Sequence, residues 1–199
     1  WTATREVRHS LDGQLASLTR GDCGAAVVVD ASPDKRYGFH WLDHVTGARH
    51  DHYCYSQPSS RGSGGKLITK ARGLQVEGNR NFPAYLKQAL DATGWGLDDL
   101  QHVIPHQVST RAIRQGTRAV AKFMGCELPD VFLCHAEEYG NTTTASHFLA
   151  LHDFILRRKI RSGDNVLLVS GASGIVISHA TFTLDDLPDR YLSHANGGA

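Results

Sequence analysis

The chain has 199 residues, with 21 Lys+Arg against 20 Asp+Glu, a formal net charge of +1 and 41% hydrophobic residues. A chain of this length closes one core without a covalent staple, burying roughly 70% of its unfolded surface. Balanced charge argues against a nucleic-acid binder working through bulk electrostatics, and no apolar run approaches the roughly 20 residues that cross a bilayer.

The chain opens on Trp1-Thr-Ala-Thr rather than on Met, and no basic segment is followed there by an apolar one. A fragment or processed product without a signal peptide is therefore expected. Cys23, Cys54, Cys126 and Cys134 form no C-x-x-C pair, so free thiols in a reducing compartment, the cytoplasm, are expected.

In chain order, residues 1–20 read as a polar connector. Ala25 to Val29 is an apolar run between turn signals, which predicts a buried strand, and Tyr37 to Val45 a second one. From Tyr53 to Lys66 the Ser, Gly and Pro content predicts a mobile loop. Asn81 is placed to cap a helix with Pro83 in its first turn and Tyr85, Leu86, Ala89 and Leu90 on its apolar face, ending near Gly94. A short strand from His102 meets Pro105, and a helix follows over roughly Thr110 to Met124. Val131 to Cys134 reads as a strand. The next helix carries Phe148, Leu151, His152 and Ile155 at helical spacing and closes on Arg157-Arg158-Lys159. Asn165 to Val169 is a strand, Ser170 to Gly174 a small-residue turn, and Ile175 to Leu184 a last strand. The polar tail from Asp185 is expected to fray. Alternating strands and helices predict an α/β layer architecture.

Three segments stand where strands end, the usual place for site residues in such folds. In Ile104-Pro105-His106-Gln107, the proline keeps His106 out of a continuous helix and leaves its ring on a fixed turn. Alone, such a histidine is more often satisfied within its loop. In Tyr139-Gly140-Asn141-Thr142-Thr143-Thr144-Ala145-Ser146, Gly140 permits a close approach, and Asn141 alone reads equally as a helix cap. In Ser170-Gly171-Ala172-Ser173-Gly174, small residues let backbone N–H groups meet a ligand oxygen.

Together these segments resemble the C-terminal half of β-ketoacyl-acyl carrier protein synthase III, in the thiolase superfamily. The family reads P-H-Q-A-N-x-R where this chain has Pro105 to Arg111, and G-N-T-S-A-A-S where it has Gly140 to Ser146. It reads G-D-G-A-G-A-V-V-L near Gly21 to Val29, and its Gly-rich turn corresponds to Ser170 to Gly174. Order and approximate spacing agree over about residues 15–184. The chain departs from the pattern at Ser109, in place of the family's Asn, and at Ser173 and Cys23, each in place of Gly.

The resemblance implies a layered mixed β-sheet with helices packed on it: a connector over 1–20, a thiolase-like domain over 21–184 and a tail over 185–199. With a separate N-terminal half it would complete an αβαβα sandwich. His106 and Asn141 would be two members of a Cys-His-Asn set for decarboxylative Claisen condensation of an acyl-cysteine with a malonyl-type thioester. Two neutral donors stabilise an enolate oxygen without a proton transfer. Backbone N–H groups at Ser173 or Gly174 would stabilise the acyl oxyanion. None of the four cysteines matches the family's nucleophile, so a complementary chain is expected to supply it, in a dimer of complete units. Acyl transfer without decarboxylation, and a non-catalytic carrier-docking subunit, are the alternatives.

Arg111, Arg114, Arg118 and Lys122 are spaced 3, 4 and 4 apart and share one helix face, with Ile113, Thr117, Val120 and Met124 opposite. A solvated face is the ordinary explanation. Here the stripe starts just past His106 and resembles the family's docking patch for acidic acyl carrier protein. Coenzyme A or phosphopantetheine thioesters would be substrates, with no cofactor. Arg157, Arg158 and Arg161 read as a helix-end effect. His40, His44, His50 and His52 have mixed spacing and read as a solvent-facing cluster, so no metal is expected. Arg61-Gly-Ser-Gly-Gly-Lys lacks P-loop spacing.

Overall fold

A computed structural model describes residues 16, 18–32, 34–60 and 62–197. Along the chain run β1 (Gly38–His50), β2 (Cys54–Pro58), β3 (Gly65–Thr69), α1 (Ala71–Thr93), β4 (His102–Pro105) and α2 (Thr110–Met124). There follow α3 (Ala136–Tyr139), α4 (Ser146–Leu156), β5 (Asn165–Ala172), β6 (Gly174–Thr183) and α5 (Leu187–Gly197).

The main sheet has the order β1-β6-β5-β4 among the described residues. β1 and β5 each run antiparallel to β6, whereas β4 pairs parallel to β5 in the register Ile104↔Leu168 and Pro105↔Val169. Val131 to Leu133 lie beside β4, bonded through Val103 alone: its N–H reaches Val131 O at 2.8 Å and its carbonyl takes Leu133 N–H at 2.9 Å.

Period-two alternation sends neighbouring residues to opposite sheet faces. Val103, Leu167 and Val169 meet Leu86 and Leu90 of α1 and Val120 of α2 on one face. Ile104 and Val166 meet Ala150, Phe154 and Ile155 of α4 on the other, joined by Leu187 and Leu192 of α5. The result is the expected layered mixed sheet with helices packed on it. The strand ends that carry the sequence motifs open at one edge of it.

Several expectations are corrected. The apolar run Ala25 to Val29 forms no strand; Val28 is 92% exposed, because the outer edge of β6 is taken by β1 along its length. The loop expected from Tyr53 to Lys66 is mostly a hairpin of β2 and β3, closed by the Ser59 N–H to Gly64 carbonyl bond at 2.9 Å. Backbone pairing there needs little from the polar side chains. The helix expected to start at Asn81 begins at Ala71 and holds Pro83 in its interior. Asn81 does not cap it; its amide donates to the Glu77 carbonyl at 2.7 Å. The first turns are held by tertiary contact instead, Tyr53 packing where Gly73 has no Cβ and Gln75 reaching the Ala112 carbonyl at 3.5 Å.

The tail is a helix rather than a frayed end. Asp185 Oδ1 takes the Leu187 N–H at 2.8 Å, and Pro188, which needs no N–H partner in a first turn, is fully buried. The connector over 1–20 lies largely outside the described residues. Among the described residues no helix is long and apolar enough to cross a membrane, and no group of three or more His, Cys, Asp and Glu could hold a metal.

Candidate active site

His106 stands one residue beyond β4, and its N–H donates to the Val169 carbonyl at 2.8 Å. Pro105 ends the strand, while Ser109 accepts the Ala112 N–H at 3.2 Å and starts α2, so the turn is fixed at both ends. The imidazole Nδ1 meets Ser146 Oγ at 2.9 Å, and Nε2 has no partner among the described residues. Burial, and then the neighbouring His147 ring, lower its pKa to about 4, which leaves the ring neutral at pH 7.

Asn141 is held by its backbone. Its N–H donates to the Thr19 carbonyl at 2.7 Å and its own carbonyl accepts the Gly21 N–H at 3.0 Å. The preceding Gly140 has φ +68°, and a Cβ there would sit 2.9 Å from the Thr19 oxygen, so the close approach needs glycine. Asn141 caps no helix, since α4 begins at Ser146. Its Oδ1 accepts the Thr143 N–H at 2.9 Å, leaving the Nδ2 protons without an acceptor among the described residues. Five residues later the same segment delivers Ser146 to His106, so one stretch carries Asn141 and anchors the histidine.

Ser173 and Gly174 form the turn from β5 to β6, four and five residues past Val169, which pairs with Pro105. They lie toward the same sheet edge as His106. Arg111, Arg114, Arg118 and Lys122 are all exposed on α2, and Ile113 and Val120 are buried opposite them. None of the four cations has an ion-pair partner among the described residues. An open cleft of about 570 Å³ runs between Val108–Arg111 and Ala136–Gly140, with Arg20 and Arg111 on its walls. Arg157, by contrast, is tied to Asp153 at 2.9 Å and to Glu138 at the end of α4.

All four cysteines are free thiols. In the histidine cluster, His40 bonds Thr183 at 2.7 Å, while His50 and His52 face Glu77 and Asp51 at 3.8 and 3.5 Å.

Residues 90–184 match the family model for 3-oxoacyl-[acyl-carrier-protein (ACP)] synthase III C terminal. A β-ketoacyl-[acyl-carrier-protein] synthase III from Roseiflexus castenholzii is 37% identical over 101 residues, 51% of this chain and 29% of the relative. One from Aquifex aeolicus is 28% identical over 155 residues, covering 78% of this chain and 47% of the relative. The crystal structure of the Thermus thermophilus enzyme of that name superposes with a TM-score of 0.65 at 26% identity, over 77% of this chain and 48% of the other. Over residues 90–184 this chain is similar to the C-terminal part of ketosynthase III-like proteins of the thiolase superfamily. It spans less than half the length of these relatives.

The ketosynthase III-like match takes in His106, Asn141, Ser173, Gly174 and the whole α2 stripe, and leaves Cys23 and Cys54 outside. Three residues shape the site without a role assigned to them from the sequence. Gln107 is fully buried: its Nε2 donates to the Pro105 and Leu133 carbonyls at 2.8 and 3.1 Å, and its Oε1 accepts the His135 N–H at 2.9 Å. His147 packs its ring on His106, centroids 6.0 Å apart, and donates from Nε2 to the Val169 carbonyl at 2.8 Å. Ser146, at the end of the second motif, bonds His106 directly. Each lies within two residues of a motif residue or closes a motif, and that adjacency was the available signal.

Proposed function

We propose that this chain supplies the enolate-stabilising part of a decarboxylating condensing enzyme. The reading rests above all on one feature: His106 and Asn141 are each anchored through one polar atom, His106 by Nδ1 and Asn141 by Oδ1. Each therefore keeps one side-chain nitrogen, His106 Nε2 and Asn141 Nδ2, without a protein partner among the described residues. Two neutral groups held in this way suit a developing oxyanion.

In the proposed reaction an acyl group sits on a cysteine supplied by a complementary N-terminal half. A malonyl-type thioester, on coenzyme A or a phosphopantetheine arm, then loses carbon dioxide. The electron pair of the broken C–C bond moves onto the thioester oxygen, which accepts from His106 Nε2–H and Asn141 Nδ2–H. The enolate carbon attacks the acyl carbonyl, the acyl C–S bond breaks, and the cysteine leaves as thiolate. Backbone N–H groups at Ser173 or Gly174 stabilise the intermediate oxyanion. No cofactor is required.

Relatives named for acyl carrier protein support a carrier-borne substrate, approaching over Arg111, Arg114, Arg118 and Lys122. The exposure of Phe39 and Leu42 on β1, with Leu42, Phe148 and Leu168 lining a cavity of about 240 Å³, supports a complementary half that covers this sheet face. Complete units would then pair as a dimer.

The test assays His106→Ala and Asn141→Ala with the complementary cysteine-bearing chain and a malonyl thioester. Carbon dioxide release and ketone formation should each fall roughly 100-fold or more. Undiminished condensation in both variants would exclude a catalytic role. Acyl transfer without carbon dioxide release would favour a non-decarboxylating acyltransferase.

A further inference from the structure

Ser146 is fully buried at the first position of α4. Its Oγ has a single hydrogen-bond partner among the described residues, His106 Nδ1 at 2.9 Å. A serine at a helix start has another local option, bonding back to a carbonyl one turn earlier, and Ser146 does not take it. The carbonyl at that distance, on Thr142, already accepts the Ala145 N–H.

These facts decide which of the two groups donates. A neutral imidazole carries one proton, on Nδ1 or on Nε2. If Nδ1 held it, the ring would donate to Oγ, and the serine proton would be buried without an acceptor. Buried donors are almost always paired. If the serine donates to the Nδ1 lone pair, every proton in the contact has a partner, and the ring proton stands on Nε2, the nitrogen left free. We propose that Ser146 is a positioning residue that holds His106 in the Nε2–H tautomer, as a hydrogen-bond donor to an anionic oxygen rather than as a base.

A second contact supports this geometry. The His147 Nε2 meets a backbone carbonyl, which can only accept, so that ring too carries its proton on Nε2. The same Val169 carbonyl receives the His106 N–H, and the two rings lie 23° from parallel. His106 is thus gripped at its edge by Ser146, at its face by His147 and at its backbone by β5. Rotation of the ring about its own axis would break the serine contact. A 180° flip about Cβ–Cγ would turn Cδ2 to the serine and put Cε1 where Nε2 had faced the substrate oxygen.

The consequence for activity rests on the function proposed above; the tautomer itself does not. It is read by nitrogen-15 NMR of the full chain with labelled histidine, the His106 signals being assigned by their loss in a His106→Gln variant. The wild-type chain should show His106 as the Nε2–H form throughout pH 6 to 8. Ser146→Ala should shift it to a mixture with the Nδ1–H form, and Ser146→Thr should restore it. Nδ1–H in the wild-type chain, which needs no variant to fold, would overturn the proposal, as would a Ser146→Ala spectrum unchanged in tautomer.

With the complementary half present, Ser146→Ala should lower kcat about 10- to 100-fold with KM unchanged, rescued by threonine. Should condensation prove indifferent to His106 while the tautomer still follows Ser146, the functional reading falls and the positioning role stands.

Discussion

Gln107 shows how a single buried amide can organise a site that it never enters. Three of its hydrogen bonds tie the turn after β4 to the Val131–Leu133 segment and to the entry of α3, which leads to Asn141. Cutting it to alanine leaves two carbonyls and one N–H buried without their partner, so Gln107→Ala should destabilise the fold by about 2–4 kcal/mol. Urea denaturation of the variant, followed by circular dichroism, measures this directly. A loss below 0.5 kcal/mol would mean that water or relaxation replaces the amide. His106 and Asn141 follow the opposite rule, each spending one polar atom on position and keeping the other free. In the proposed reaction the free atom of each is the one that meets the oxyanion.

Among the helices, α2 separates its two duties by face. Ser109 caps its start, Gly125 in the left-handed conformation ends it, and Ile113 and Val120 seat it. Arg111, Arg114, Arg118 and Lys122 are left exposed in a row that begins at the cleft beside the His106 turn. Since all four are solvent-exposed, changing their charge should cost the fold little. Arg111→Glu with Arg114→Glu should therefore leave thermal stability nearly unchanged while raising KM for a carrier-bound substrate about 10-fold or more. The KM for a coenzyme A thioester should move much less, and the effect should shrink as salt is added. Equal changes for both substrates would refute carrier docking at this face. In α1 local preference is overridden: a 23-residue helix runs through Pro83 because Leu86, Ala89 and Leu90 gain full burial on the sheet.

Across the molecule as a whole, the layers bury imidazoles where charge is poorly tolerated. His179 is 3% exposed on β6, among the rings of Trp41, Phe82 and Tyr85, and its Nε2 has no hydrogen-bond partner among the described residues. Burial lowers its pKa to about 4, as it does for His106, against an ordinary 6.5. Between these values the unfolded chain takes up protons that the folded chain refuses. Stability is thus fully present above about pH 6.5 and falls as pH drops toward 4. Each such group adds about 1.4 kcal/mol per pH unit to the slope at most. Urea midpoints measured from pH 7.5 to 4.5 should fall on the acid side, and His179→Leu should make that limb shallower. An unaltered limb in the variant would show that His179 is protonated in the folded protein.

The ends of β4 and α2, the glycine stop after α1 and the strands at Asn165 and Ile175 were legible in the residues, because each has its own local cause: a proline, a cap, a left-handed glycine or an apolar run. The motifs at His106 and Asn141 were legible as words, and both lie within residues 90–184, which match the family model they indicate. Other features depend on partners distant in the chain. Ala25 to Val29 carries the composition of a buried strand but lies exposed, since burial requires an opposing surface and β1 occupies the edge of β6. The polar stretch after Cys54 becomes a hairpin because backbone groups pair whatever their side chains. The tail becomes a helix because Leu187 and Leu192 find α4 and the core beneath it. Ser146 and His106 stand 40 positions apart, and no spacing rule joins them. Composition and motif therefore specify the class of chain and point to the chemistry proposed for it. Which nitrogen of His106 carries the proton depends on packing, because a proton goes where the buried hydrogen bonds can all be made.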